Sequence, residues 1–171
     1  MKHLFLLILI LTLPLGSSAQ KYMTKNGFIG FFSHTPVEDI KADNNQVASV
    51  LDISTGEIVF QVLIRSFHFP KAFMEEHFNE NYLESEKFPR STFKGKITDI
   101  SKVDFTRNGK YDVTVEGELY IHDVTKRITE KGTIEVVPGG ITATSKFNIA
   151  PEDYNIKIPA VVRENIGKII E

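Results

Sequence analysis

The chain has 171 residues, 22 acidic against 20 basic, with a formal charge of −2, no Cys, no Trp and 13 Phe. Without Cys it excludes disulfide scaffolds, thiol redox chemistry and cysteine catalysis, and without a basic run it is a poor partner for nucleic acid or anionic headgroups. Beyond a short leader, roughly 150 residues remain, enough for one domain with a real core and hardly for two.

The leader is residues 1–19. Lys2 gives a positive start, residues 4–13 are almost wholly apolar, and Ser17, Ser18 and Ala19 offer small side chains for cleavage before Gln20. The apolar run is too short to span a bilayer. The expectation is therefore a signal peptide cleaved after Ala19 and a periplasmic mature protein, residues 20–171, with no stable membrane insertion. Losing Lys2 takes the formal charge from −2 to −3.

Residues 22–33 carry Phe28, Ile29, Phe31 and Phe32 among Gly27 and Gly30, the pattern of a strand with a bulge. Asn44-Asn45 gives a turn signal. Val47, Ser49, Leu51 and Ile53 then alternate with Ala48, Val50 and Asp52, and after Ser54-Thr55-Gly56 a second strand puts Ile58, Phe60, Val62 and Ile64 on one face. These two strands form a hairpin.

Residues 69–97, FPKAFMEEHFNENYLESEKFPRSTFKGKI, read differently. Pro70 suits a first helical turn, Glu75 and Glu76 favour the positive end of a helix dipole, and Phe73, His77 and Phe78 make one aromatic face, predicting a short helix near residues 70–82. Residues 79–82 end the run, and Phe88-Pro89 directs the chain into a strand over 91–97.

Asn108-Gly109 suits a type I′ hairpin turn. The next strand alternates most cleanly, with Tyr111, Val113, Val115, Gly117, Leu119 and Ile121 opposite Asp112, Thr114, Glu116, Glu118, Tyr120 and His122, as where one face is dry and one wet. Ile128, Ile134 and Val136 continue the apolar face. Pro138-Gly139-Gly140 turns the chain into Ile141, Ala143, Ser145, Phe147 and Ile149, and residues 164–171 offer a last short strand. About eight strands joined mostly by hairpins predict an all-β fold, an antiparallel sheet that hides its edges by closing into a barrel.

No chemistry is spelled out by spacing. His34, His68, His77 and His122 sit on different elements without a metal-site pattern, and no nucleophile is paired with a base, so the chain reads as a non-enzyme without cofactor or metal. Glu75, Glu76, Asn79, Glu80, Asn81 and Glu84 fit helix capping better than acid–base work. Arg65 and Ser66 would reach a ligand headgroup or pair with a helix carboxylate. Taken alone, the Phe residues fit a filled core better than a ligand cavity, though an eight-stranded barrel is wide enough for either.

HFNENYLESEKFPRSTFKGKI resembles the segment in which YceI-like proteins carry a pattern of a hydrophobic residue followed by L-x-S-x-x-F/Y-P-x-x-x-F-x-G/S, here Tyr82-Leu83, Ser85, Phe88-Pro89, Phe93 and Gly95. VEGELYIHDVTKRI resembles the family's G-x-L-T-I-x-G-V-T-K strand and turn, with Tyr120 in place of Thr and Asp123 in place of Gly, and the likeness resumes at FNIAPEDYNIKIP. The resemblance implies a lipocalin-like barrel that binds a polyisoprenoid, such as an isoprenoid quinone or alcohol, or another long-chain lipid. On that implication Phe60, Phe73, Phe78, Tyr82, Leu83, Phe88, Phe93, Leu119 and Phe147 line an apolar cavity. Burial at about 0.8 kcal/mol per CH₂ gives on the order of 4 kcal/mol per isoprene unit, so about three units offset an association cost of roughly 4 to 15 kcal/mol. The alternative is a compact, filled barrel in the envelope that acts through protein–protein contacts without a lipid. A homodimer stays open in either case.

Overall fold

The computed structural model describes residues 21–34 and 39–158. In it the alternating segments become β1 (Lys21–Ser33), β2 (Ile40–Asp52), β3 (Glu57–Leu63), β4 (Arg90–Ile97), β5 (Gly109–Ile121), β6 (Val124–Val137) and β7 (Gly140–Ser145). They form one antiparallel sheet whose spatial order is the chain order, curled into a nearly closed barrel. The expected leader and the strand expected at 164–171 lie outside the described residues.

Register fixes what faces inward. Leu51 opposes Ile58, Ile58 opposes Gly95, Gly95 opposes Gly117 and Gly117 opposes Ile128, so one row crosses the interior from β2 to β6. The two glycines meet because Phe93 needs their space. A Cβ on Gly95 would stand 2.5 Å, and one on Gly117 2.8 Å, from the tip of the Phe93 ring, which therefore lies flat on the wall and covers backbone that the glycines leave bare. Leu51, Ile58, Phe93, Ile97, Val113, Leu119, Ile134 and Val136 make the main core. A second cluster of Ala42, Val47, Val62 and Phe67, with Phe31, Phe60, Phe69 and Phe78 against it, sits at one end of the barrel.

Three local expectations are corrected. Asn44-Asn45 is no turn, since β2 runs through it. The Asn44 side chain is buried within the barrel, donating to the Leu63 carbonyl at 3.0 Å and accepting from the Gln46 N–H at 2.8 Å, so its polarity serves a strand irregularity opposite β1. Asn108-Gly109 is not a hairpin turn either, because β4 and β5 are joined through residues 98–108 with a 3₁₀ turn at Ile100–Lys102. The two-residue turn lies at the other end of β5, where Ile121 pairs with Val124 and His122 and Asp123 have φ of 48° and 64°, the doubly left-handed geometry of a type I′ turn.

The third correction concerns the helix. Helix α1 covers Ala72–His77, starting two residues after Pro70, and the run does not break at Asn79. It widens into a π turn, Phe78–Tyr82, closed by the Leu83 N–H on the Phe78 carbonyl at 2.8 Å. Asn79 permits this by donating its side-chain amide to the Glu75 carbonyl at 2.9 Å, one that a regular helix would satisfy by backbone alone.

Candidate functional site

The chain between β3 and β4 folds over the barrel end that holds the second cluster. After a 3₁₀ turn at Ile64–Ser66, the Asp43 and His68 backbones pair at 3.1 and 2.9 Å, which brings Phe67 and Phe69 against Phe31 and Phe78. Glu75 turns its carboxylate back onto the Phe69 N–H at 3.1 Å, which ties α1 to the segment that leads into it. Ring centroids in this group lie 5.0–5.8 Å apart, the spacing of interlocked aromatic packing.

The interior is unevenly buried. On β2, β3 and β4 the inward residues Leu51, Ile58, Val62, Phe93 and Ile97 are buried and Phe60 is half-buried. On β5 and β6 the inward residues Val113, Leu119, Ile134 and Val136 are buried, but Val115, Ile121, Val124 and Ile128 are only half-buried, as are Phe147 and Ile149, which pack on the same core after β7. Apolar side chains that face inward and still meet solvent form an accessible apolar wall. It is not purely apolar, because register puts Lys126 and Glu130 on either side of Ile128 on the same face. Lys126 is held by Asp153 at 2.6 Å and lies over the Tyr154 ring.

The nine residues expected to line a cavity do not form one surface. Phe93, Leu119 and Leu83 are buried, Phe60 stands 6.0 Å from Phe93 between the two clusters, and Phe147 borders the accessible wall. Phe78 belongs to the aromatic cluster. Tyr82, the last residue of the π turn, is half-buried, and burial pushes its phenol pKa up. Phe73 is corrected: it is 67 % exposed and rests on His77 with ring centroids 3.9 Å apart, facing away from the interior. Its spacing from Phe78 failed as a guide because five residues do not return to the same face of a helix with 3.6 residues per turn. The sequence reading missed Val115, Ile121, Val124 and Ile128 as a lining, although the period-two alternation already put Val115 and Ile121 on the dry face.

Phe88 is placed by a polar pair. Its ring stands edge-on to His122 at 4.6 Å, beneath the Lys87 ammonium at 4.7 Å. The His122 side chain is only 9 % exposed; its Nε2 lies 3.0 Å from Glu84 Oε2 and its Nδ1 3.2 Å from the Tyr154 carbonyl. Arg65 pairs with Glu86 at 2.8 Å in the same loop, the bland one of its two expected roles, although the carboxylate comes from beyond the helix. Among the described residues no three His, Asp or Glu side chains gather as a metal site.

The YceI-like domain matches residues 21–171 of this sequence. The chain belongs to the YceI-like family. Solved structures share the YceI-like fold at low identity. A polyisoprenoid binding domain from Saccharophagus degradans implicated in plant cell wall breakdown superposes with a TM-score of 0.74 at 12 % identity over 88 % of this chain and 92 % of its own. Burkholderia cenocepacia BcnA gives 0.68 at 12 % identity over 88 % and 91 %, and the Campylobacter jejuni YCEI protein 0.55 at 16 % over 78 % and 82 %. No curated protein matches the chain.

Proposed function

We propose that this protein is an exported lipid carrier that takes a polyisoprenoid or related long apolar chain, an isoprenoid quinone or alcohol, against the inner wall of its barrel. One observation carries the reading: Val115, Ile121, Val124 and Ile128 face the interior and remain partly accessible. A long hydrocarbon gains on the order of 25 cal/mol per Å² by covering such a wall. Membership of the YceI-like family and the likeness to a polyisoprenoid binding domain support that ligand class. The protein acts by binding and carries out no chemistry on its ligand.

Mass spectrometry of an organic extract from detergent-free native protein tests this. An isoprenoid chain is expected in the wild type and is expected to be lost from Ile128→Trp, whose larger side chain would fill the wall. If folded wild-type protein carries no lipid and shows no saturable binding of isoprenoid quinones or alcohols, the reading fails. The same material checks the export half, since intact mass should place the mature start at Gln20.

A second reading, a filled barrel acting through its surface on another protein, is favoured by the outer face of β1–β3. There Met23 opposes Val50 and Val50 opposes Val59, all three exposed and apolar. Lipid-free protein that captures a partner through this row would favour that account.

A further inference from the structure

The four non-glycine residues with positive φ among the described residues are Glu84, His122, Asp123 and Asn155. They are scattered in sequence and gather at one place. Glu84 and His122 touch, Asp123 completes the His122 turn, and Asn155 follows the Tyr154 whose carbonyl faces His122. Left-handed backbone at residues other than glycine is unfavourable and persists where surrounding contacts hold it. The contacts here are hydrogen bonds of one imidazole.

Those bonds set a proton requirement. The Tyr154 carbonyl can only accept, and an ionised Glu84 carboxylate can only accept. A neutral imidazole has one N–H and one lone pair, so it can serve one of the two neighbours and must turn a lone pair toward the other. The imidazolium, with two N–H groups, serves both. We propose that His122 is a proton-operated latch, which when protonated ties the loop of residues 83–89 to the segment of residues 151–156 across the capped end of the barrel, and which loosens when the proton leaves. Both tied pieces border the interior, since Leu83 is buried beside the cap and Tyr154 packs in the main core.

The other charges around the ring do not replace its proton. Lys87 approaches the second oxygen of Glu84 at 4.0 Å, and its ammonium lies over Phe88 instead of reaching a ring nitrogen. Lys126 is engaged by Asp153 at 2.6 Å. Asp123 is exposed in the turn. The Glu84 carbonyl accepts from the Lys87 and Phe88 N–H groups at 2.8 and 2.9 Å, so movement of Glu84 carries Phe88 with it.

The latch is tested without any ligand, so its failure is separate from failure of the lipid reading. Amide hydrogen exchange of residues 83–88 and 152–156, corrected for intrinsic rates, is followed between about pH 5 and 9 alongside the His122 ring carbon shift. Protection is expected to fall roughly tenfold, the scale of one charge-assisted hydrogen bond, in step with the change in the His122 ring carbon shift. In Glu84→Gln the side-chain amide can donate to a neutral His122 while Nδ1–H stays on Tyr154, so protection should become flat across pH. His122→Asn, which tolerates the left-handed backbone, should lose the step and give low protection throughout. A flat profile in the wild type, or a step that survives in Glu84→Gln, overturns the proposal.

Discussion

Leu51, Ile58, Val62, Phe93 and Ile97 of β2–β4 are inward and buried, whereas Val115, Ile121, Val124 and Ile128 are inward and half-buried, interleaved on β5 and β6 with the buried Val113, Leu119, Ile134 and Val136. Both sets are apolar, both come from alternating strands, and each points at the interior. The first set is closed over by its neighbours, with Phe93 laid across Gly95 and Gly117 and Phe60 leaning on Phe93. In the second set, Val124 and Ile128 are left half-buried by the shortness of β7, which pairs with β6 only from Gly132 to Val137, so that the first half of β6 has no strand on its far side among the described residues. On β6, alternation decides which way a side chain points, and the reach of the neighbouring strand decides whether it is buried, as Ile134 and Val136 are beside β7, or half-buried, as Val124 and Ile128 are beyond it.

The largest test of this contrast concerns facing. Leu119→Asp places a carboxylate at a buried inward position of β5, whereas Glu118→Ala changes an exposed outward one. The first should lose on the order of 3–5 kcal/mol through an unpaired buried charge and the second within about ±0.5 kcal/mol. Equal denaturant midpoints would mean the faces are reversed.

A finer test separates the two sets from one another. Ile97, 2 % exposed, should lose about 2–5 kcal/mol on truncation to Ala. The same change at half-buried Ile128 should cost about 1 kcal/mol or less in lipid-free protein, because less of that side chain leaves water on folding. Lipid retention should rank them the other way, with Ile128→Ala the weaker binder per folded molecule. Equal stability losses would abolish the distinction between packed core and accessible wall.

The smallest effect is acid dependence at the far end of the barrel, where Asp99 Oδ1 accepts the Thr114 N–H at 3.0 Å. That bond, with Lys102 helping, holds the Asp99 carboxyl below its usual pKa. A depressed folded-state pKa contributes stability above the unfolded value, near 3.9, which is lost as pH falls through the folded one. Asp99→Asn should therefore flatten the acid limb of a stability-against-pH curve while leaving its neutral and alkaline parts parallel to wild type. An unchanged acid limb would remove Asp99 from the account.

Much of the fold was legible because it rests on local alternation: β3 and β5 have their inward faces as the sequence reading placed them, and β1 has its irregularity. The turns were less legible. Asn108-Gly109 has turn chemistry without a turn, while His122-Asp123 takes left-handed backbone with no glycine, held by contacts to Glu84, 38 positions away, and to the Tyr154 carbonyl, 32 positions away. Such contacts leave no periodic trace. Phe93 and Leu119 point inward as the alternation of their strands implies, yet they are buried in the packed core, and Phe73 was misread because a spacing of five does not keep to one face of an α-helix.

That every strand pairs with its neighbour in the chain also bears on the order in which the molecule assembles. Loop closure becomes dearer only slowly with length, yet contacts close in sequence form sooner than distant ones. The β5–β6 ribbon, with a two-residue turn and pairing from Gly109–Val136 to Ile121–Val124, should therefore be protected first when unfolded protein is diluted into buffer. Joining β3 to β4 across residues 64–89 should come late. Pulsed hydrogen exchange would show it, and early protection of β3–β4 ahead of β5–β6 would reverse the order. A late-closing cap means that the barrel wall exists before its end is shut.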